Sequence, residues 1–194
     1  MATSQRLPRA QRREQILDAA TRVFARAGYA ATSVDDVAVE AGITRVLLYR
    51  HFDSRTDLYR AVLDRARAHL GDTVGSRDFD DNSIADLVRA AVADPDGFRL
   101  LFRHAGREPE FRDVIETMRA ASTEIAANAL ADHVPDGPWR AWAARLVPTL
   151  VLEAVLAWLD VGQPDPDTAA DRIGRAVHAA LDAAQPEPSE RPAP

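Results

Sequence analysis

Apolar residues recur at helical spacing from the start of the chain. Ile16, Leu17, Ala20, Val23, Phe24 and Ala27 share one face, while Arg12, Arg13, Asp18, Arg22 and Arg26 lie off it. Gly28 follows, where a helix end favours a left-handed residue. Ser54-Arg-Thr-Asp57 opens a further helix through Leu58, Tyr59, Val62 and Leu63 to about Leu70. Residues 71–82 read as a polar loop, and 83–93 as a short helix with Ile84, Leu87, Val88 and Ala91 inward. Asp94-Pro-Asp-Gly97 turns into a short helix around Phe98, Leu101 and Phe102. Pro109 suits the first turn of a helix to about His133. Pro138 and Pro166 start the last two helices, the second ending near Ala184. No stretch alternates long enough to argue for a strand, so the pattern predicts an all-α chain of about nine helices. Residues 185–194, with four prolines, read as a disordered tail.

Residues 33–52 carry the most specific pattern. Ser33-Val-Asp-Asp36 is a capping box: the Ser hydroxyl accepts from the backbone three residues on, and Asp36 reaches back. Val34, Val37, Ala38 and Ala41 give a two-turn helix its inner face. Gly42 suits a positive φ in the turn, and Ile43 plugs between helices. Thr44 caps a second short helix from Arg45 to about Arg50. This is the helix-turn-helix layout, whose second helix enters the major groove of DNA. Asp35 and Asp36 are adjacent, so they point about 100° apart on a helix and do not make a catalytic carboxylate pair.

Charge supports a nucleic-acid contact once it is divided along the chain. The net charge is −6, but residues 1–60 hold ten Arg and seven acids, a balance of +3. Residues 61–194 hold fourteen Arg and twenty-three acids, a balance of −9. A DNA contact therefore belongs to the first third. With no cysteine, disulfides and thiolate metal sites are excluded. The five histidines include no pair at metal-ligand spacing, and no phosphate loop, nucleophile elbow or triad pattern occurs. No cofactor, metal site or catalytic residue is expected. The apolar run from Ala141 to Val161 is interrupted by Arg145, Pro148, Glu153 and Asp160, which favours a buried helix over a membrane span. A soluble, cytoplasmic protein is expected.

The sequence resembles the tetracycline-repressor (TetR) family closely over residues 10–63. The resemblance rests on Thr32-Ser-Val-Asp-Asp-Val-Ala38, Ala41-Gly-Ile43, Leu48-Tyr-Arg-His-Phe52 and Leu58-Tyr59. It implies DNA-facing roles for Thr32, Ser33, Thr44, Arg45, Val46, Leu47, Tyr49, His51 and Arg55, with Tyr49 and His51 on phosphates. Arg9, Arg12 and Arg13 read equally as a phosphate clamp or a solvated face. Val46 and Leu47 replace the small or polar pair usual in the family, and Arg55 its usual Lys.

The resemblance divides the chain into a DNA-binding domain at 1–60 and a ligand-sensing, dimerising domain at 61–184. The helix from Pro138 is apolar on several sides and must be covered on several. With the small residues of the last helix it suggests a homodimer interface through Leu156, Leu159, Ile173, Val177, Ala180 and Leu181. Phe98, Phe102, Met118, Trp142, Glu153 and Trp158 are the candidate lining of a ligand pocket. Glu153, in an apolar helix, is expected to need either Arg145 or a ligand as partner. The implied function is a transcriptional repressor released from double-stranded operator DNA by a small molecule. The rivals are an activator, and a ligand-independent architectural DNA binder, which would want basic charge throughout.

Overall fold

In the computed structural model, which describes residues 7–75 and 82–182, Pro8 leads into α1 (Arg9–Ala27). Its missing N–H costs nothing there, because the first helical donors have no intrahelical partner. Gly28 ends the helix at φ 76°, a left-handed value, and donates its N–H to Phe24 O at 2.8 Å. There follow α2 (Val34–Glu40), α3 (Arg45–Tyr49), α4 (Arg55–Val74), α5 (Ser83–Ala93) and α6 (Pro95–Arg99). Then come α7 (Arg112–Ala129), α8 (Pro138–Asp160) and α9 (Pro166–Asp182). Among the described residues there are nine α-helices and no strand, so the chain is all-α. The anticipated tail 185–194, residues 76–81 of the anticipated loop and residues 183–184 of the anticipated last helix lie outside the described residues.

Two compact units result. The first takes the described residues up to Asp72 together with Ala93–Ile115; the second takes Thr73–Val92 together with those from Glu116 on. The sequence division at 60/61 falls inside α4.

In the first unit the apolar faces of α1, α2 and α3 pack together, burying Ile16, Leu17, Phe24, Val37 and Leu48. An aromatic cluster of Phe24, Tyr29, Tyr59 and Phe111 stacks at 4.7–4.9 Å between the rings of Tyr59 and its three neighbours. Arg65 of α4 straps α1, donating to Asp18 at 2.6 Å and to the Thr21 hydroxyl at 2.8 Å. The helix anticipated around Phe98 is broken into α6, a π-type turn at Leu100–His104 and a tight turn at Ala105–Arg107. Proline then separates this stretch from α7. Pro109 has no N–H for the carbonyl of Ala105, so the run cannot continue into α7. Pro109–Phe111 form a single 3₁₀ turn, and α7 ends at Ala129 rather than His133.

In the second unit α8 and α9 pack along each other. Ala126, Leu130, Val134, Ala143 and Ala144 form a core against which Ala127 and Leu181 rest. By length and composition alone α8 could cross a membrane. Here it buries Val147, Val151, Val155, Leu156, Trp158 and Leu159 within the unit and leaves Arg145 and Glu153 exposed.

Candidate nucleic-acid interface

Local capping builds the two short helices. Asp36 N–H donates to Ser33 Oγ at 3.1 Å, and Ser33 N–H donates to Asp36 Oδ2 at 2.8 Å, so both halves of the capping box are made. The Ser33 hydroxyl also donates to Asp36 Oδ2 at 2.7 Å, and this bond, then the one from the Ser33 N–H, holds the Asp36 carboxyl below the usual carboxylate range. Gly42 turns at φ 64°, and Leu47 N–H donates to the Thr44 hydroxyl at 3.3 Å to start α3. Gln15 of α1 donates to the Ala41 carbonyl at 2.8 Å, fixing the turn against the first helix. Leu48 and Phe52 are the buried anchors of α3.

What α3 leaves outside is a small set. Val46 is 67% exposed, Tyr49 is 40% exposed, and Arg45 is exposed beside them. Leu47 is half-buried. Arg45 is held by Asp35 Oδ2 at 3.0 Å, and its guanidinium lies 5.5 Å from the centre of the Tyr49 ring. A guanidinium has five donors, so the Asp35 contact leaves others for a base or phosphate. Asp35 was not anticipated in this role; a contact ten residues apart, across a turn, has no local sequence signal.

Three of the anticipated contacts sit differently. Thr32 is 1% exposed and gives its hydroxyl to the Gly28 carbonyl at 2.7 Å, so it builds the turn rather than facing a groove. Arg55 donates to the Thr32 carbonyl at 3.0 Å and stacks 4.2 Å over the Tyr29 ring, which makes it a brace between α4 and the loop after α1. His51 is half-buried, and its Nδ1 has no hydrogen-bond partner among the described residues. Burial, then the charges of Arg9, Arg12 and Arg13, hold His51 below the usual histidine range. Arg13 lies 4.9 Å over the Phe52 ring, which brings early α1 to the chain just after α3. Ser33, exposed, and Thr44, exposed, keep their capping bonds at the helix starts.

The anticipated pocket and interface residues are also redistributed. Phe98 and Phe102 stack at 4.7 Å in the first unit. Met118 is half-buried in the second, and Trp142, 39% exposed, meets Trp139 edge-on at 5.6 Å. Trp158 is buried and donates its indole N–H to Pro164 O at 2.8 Å. Glu153 is exposed, which removes the desolvation that called for a partner. Among the described residues no ion pair joins it to Arg145, about 12 Å of helical rise away. Leu156, Leu159, Ile173 and Val177 are buried within the single chain. Ala180 and Leu181 are half-buried. Leu156, Leu159, Ile173 and Val177 therefore already have neighbours within the chain.

A capped two-turn helix, a glycine turn and a short exposed helix, braced by a preceding helix, define a helix-turn-helix DNA-binding protein. Residues 16–62 match the family model described as bacterial regulatory proteins, tetR family. The chain is 34% identical over 186 residues to the transcriptional activator FasR of Mycolicibacterium smegmatis, covering 86% of this chain and 81% of that protein. It is 40% identical over 77 residues to the transcriptional repressor Rv3405c of Mycobacterium tuberculosis, covering 40% of this chain and 38% of that protein. In fold it is similar to a TetR-like regulator from Rhodococcus, with a TM-score of 0.78 at 23% identity over 91% of this chain and 99% of that one. The chain belongs to the TetR family: it is a DNA-binding transcriptional regulator and not an enzyme.

Proposed function

We propose that this chain is a cytoplasmic, homodimeric repressor that reads a palindromic operator and leaves it when a small molecule binds. The observation that carries the reading is Arg45, exposed at the N-terminal end of a capped helix whose other end is anchored by Leu48 and Phe52. Side chains at that end of a recognition helix reach base edges, and a guanidinium suits the O6 and N7 of guanine. Val46 offers only a methyl contact to thymine. Tyr49, His51 and the arginines of early α1 take phosphates, and Ser33 and Thr44 present capped helix starts to the backbone. On this reading residues 1–60 bind DNA and residues 61–184 sense and dimerise. Outward residues of α8 and α9, such as Leu146, Ala176 and Ala179, form the homodimer contact. A ligand that fits only the off-DNA arrangement then shifts the population away from the operator.

Selection of binding sites from random DNA tests this directly. An imperfect palindrome with one guanine per half-site that depends on Arg45 supports it; binding without sequence preference sinks it. A second reading, an activator, is favoured by FasR, a transcriptional activator that aligns over most of both chains. Reporter transcription from the selected operator, with and without the protein, separates the two.

A further inference from the structure

Gly174 stands in the middle of α9, where glycine weakens a helix more than any residue except proline. A Cβ added there meets only Ile84 Cδ1, at 3.9 Å, so the backbone has room for a side chain it does not carry. The space belongs to a cavity of about 770 Å³ in the second unit, walled by α5, α7, α8 and α9. Its apolar wall includes Ile84, Ala129, Leu130, Val147 and Leu181. None of Met118, Trp142, Glu153 or Trp158 contributes to it.

Polarity is segregated within this cavity. Its charged lining residues, Asp171, Arg175 and Asp182, are all exposed, as are His133 and His178. They form a mouth around an uncharged interior. His178 sets one ring nitrogen on the Gly174 carbonyl at 2.8 Å. A charged group carried into the interior would lose its water without gaining a partner. At the mouth two carboxylates outnumber one guanidinium, which disfavours an anionic end, while the imidazoles offer hydrogen bonds. The volume lies within the range of small-molecule pockets, about 300–1,000 Å³.

We propose that this cavity is the chain's small-molecule site, and that it takes an uncharged, mainly apolar molecule with one hydrogen-bonding end at the mouth. It rests on the reading of the chain as ligand-responsive.

The test uses the full chain and two fluorescent probes, neutral N-phenyl-1-naphthylamine and anionic 1-anilinonaphthalene-8-sulfonate. The neutral dye should bind saturably, one per chain, and the sulfonate at least tenfold more weakly. Gly174→Leu and Ala129→Leu fill the cavity from different walls, and each should weaken the neutral dye at least tenfold. Gly174→Ala should keep the fold and most of the binding, and sedimentation should show the same assembly for all variants. Unchanged dye affinity in either folded leucine variant overturns the proposal. So does tighter binding of the sulfonate, or an altered oligomeric state in Gly174→Leu, which would make the cavity a seat for a second copy. Operator affinity at saturating dye is read separately. If it does not move while the dye binds as expected, ligand release fails and the site stands.

Discussion

On the proposed reading Arg45 is the side chain that reads the operator, and Asp35, its ion-pair partner, sets how free its guanidinium is. Their 3.0 Å contact is exposed on both sides, so it adds little stability, but it places a negative charge beside that guanidinium. Arg45→Ala should cost about 1–3 kcal/mol on the operator and flatten preference at one position. Asp35→Asn should act oppositely on non-specific DNA, tightening it severalfold and steepening the salt dependence by removing a repulsive charge. Gel shifts on operator and scrambled duplexes check both; equal losses for Asp35→Asn on the two duplexes would refute the assignment. His51 gives a pH signature. Its folded value lies below the unfolded one, so it contributes stability above the unfolded pKa, about 6.5, that is lost as pH falls through that value toward the lowered one. On the proposed reading a phosphate pairs with the protonated ring, so operator affinity should rise over the same fall in pH. Binding isotherms between pH 7.5 and 5.5 should show that slope in the native chain and a shallower one in His51→Gln.

At the scale of elements, α2 is only seven residues long and owes its start to Ser33 and Asp36. Ser33→Ala should cost about 1 kcal/mol of stability, read as a lower thermal midpoint, with operator affinity falling because α2 supports the turn into α3. An unchanged midpoint would show that packing of Val34 and Val37 alone sets the helix. The box, Gly42 and Thr44 were all legible in the sequence, because each is a contact within three or four residues. The bond between Thr32 and Arg55 was not legible because it spans twenty-three residues, and no local pattern reports whether an exposed-looking arginine stacks on Tyr29. The same limit governs α8. Its apolar residues surround the helix, so periodicity could not tell that Val147 faces the core while Leu146 is only half-buried. Nor could it tell that Glu153 shares the outer side with Thr149 and Ala157. In α9 polar residues mark the outside clearly, yet the inward stripe of Ile173 and Val177 was assigned to a partner when the chain's own helices cover it.

For the whole molecule, the proposed dimer gives the uneven charge a consequence: DNA binding should depend on assembly. Residues 1–60 carry +3 while the remainder carries −9, so one copy brings few phosphate contacts to the duplex and a large acidic body that repels it. Two copies linked rigidly double the contacts, and the second half-site is then bound as an intramolecular event. The link should lie on the outward side of α8 and α9. Adjacent residues of α9 separate that idea from simple folding. Val177 is buried in its own chain, so Val177→Glu places a charge among apolar neighbours and should lower the thermal midpoint sharply. Ala176 is exposed, so Ala176→Glu should leave helicity and midpoint nearly unchanged while, in the dimer, facing its own symmetry mate or that mate's neighbours. Sedimentation should then show a shift from dimer to monomer. Affinity for the full palindrome should fall by at least tenfold, while affinity for an isolated half-site barely moves. If Ala176→Glu stays dimeric and keeps the palindrome, the contact between copies lies on another face, and the half-sites are held in register by a different surface.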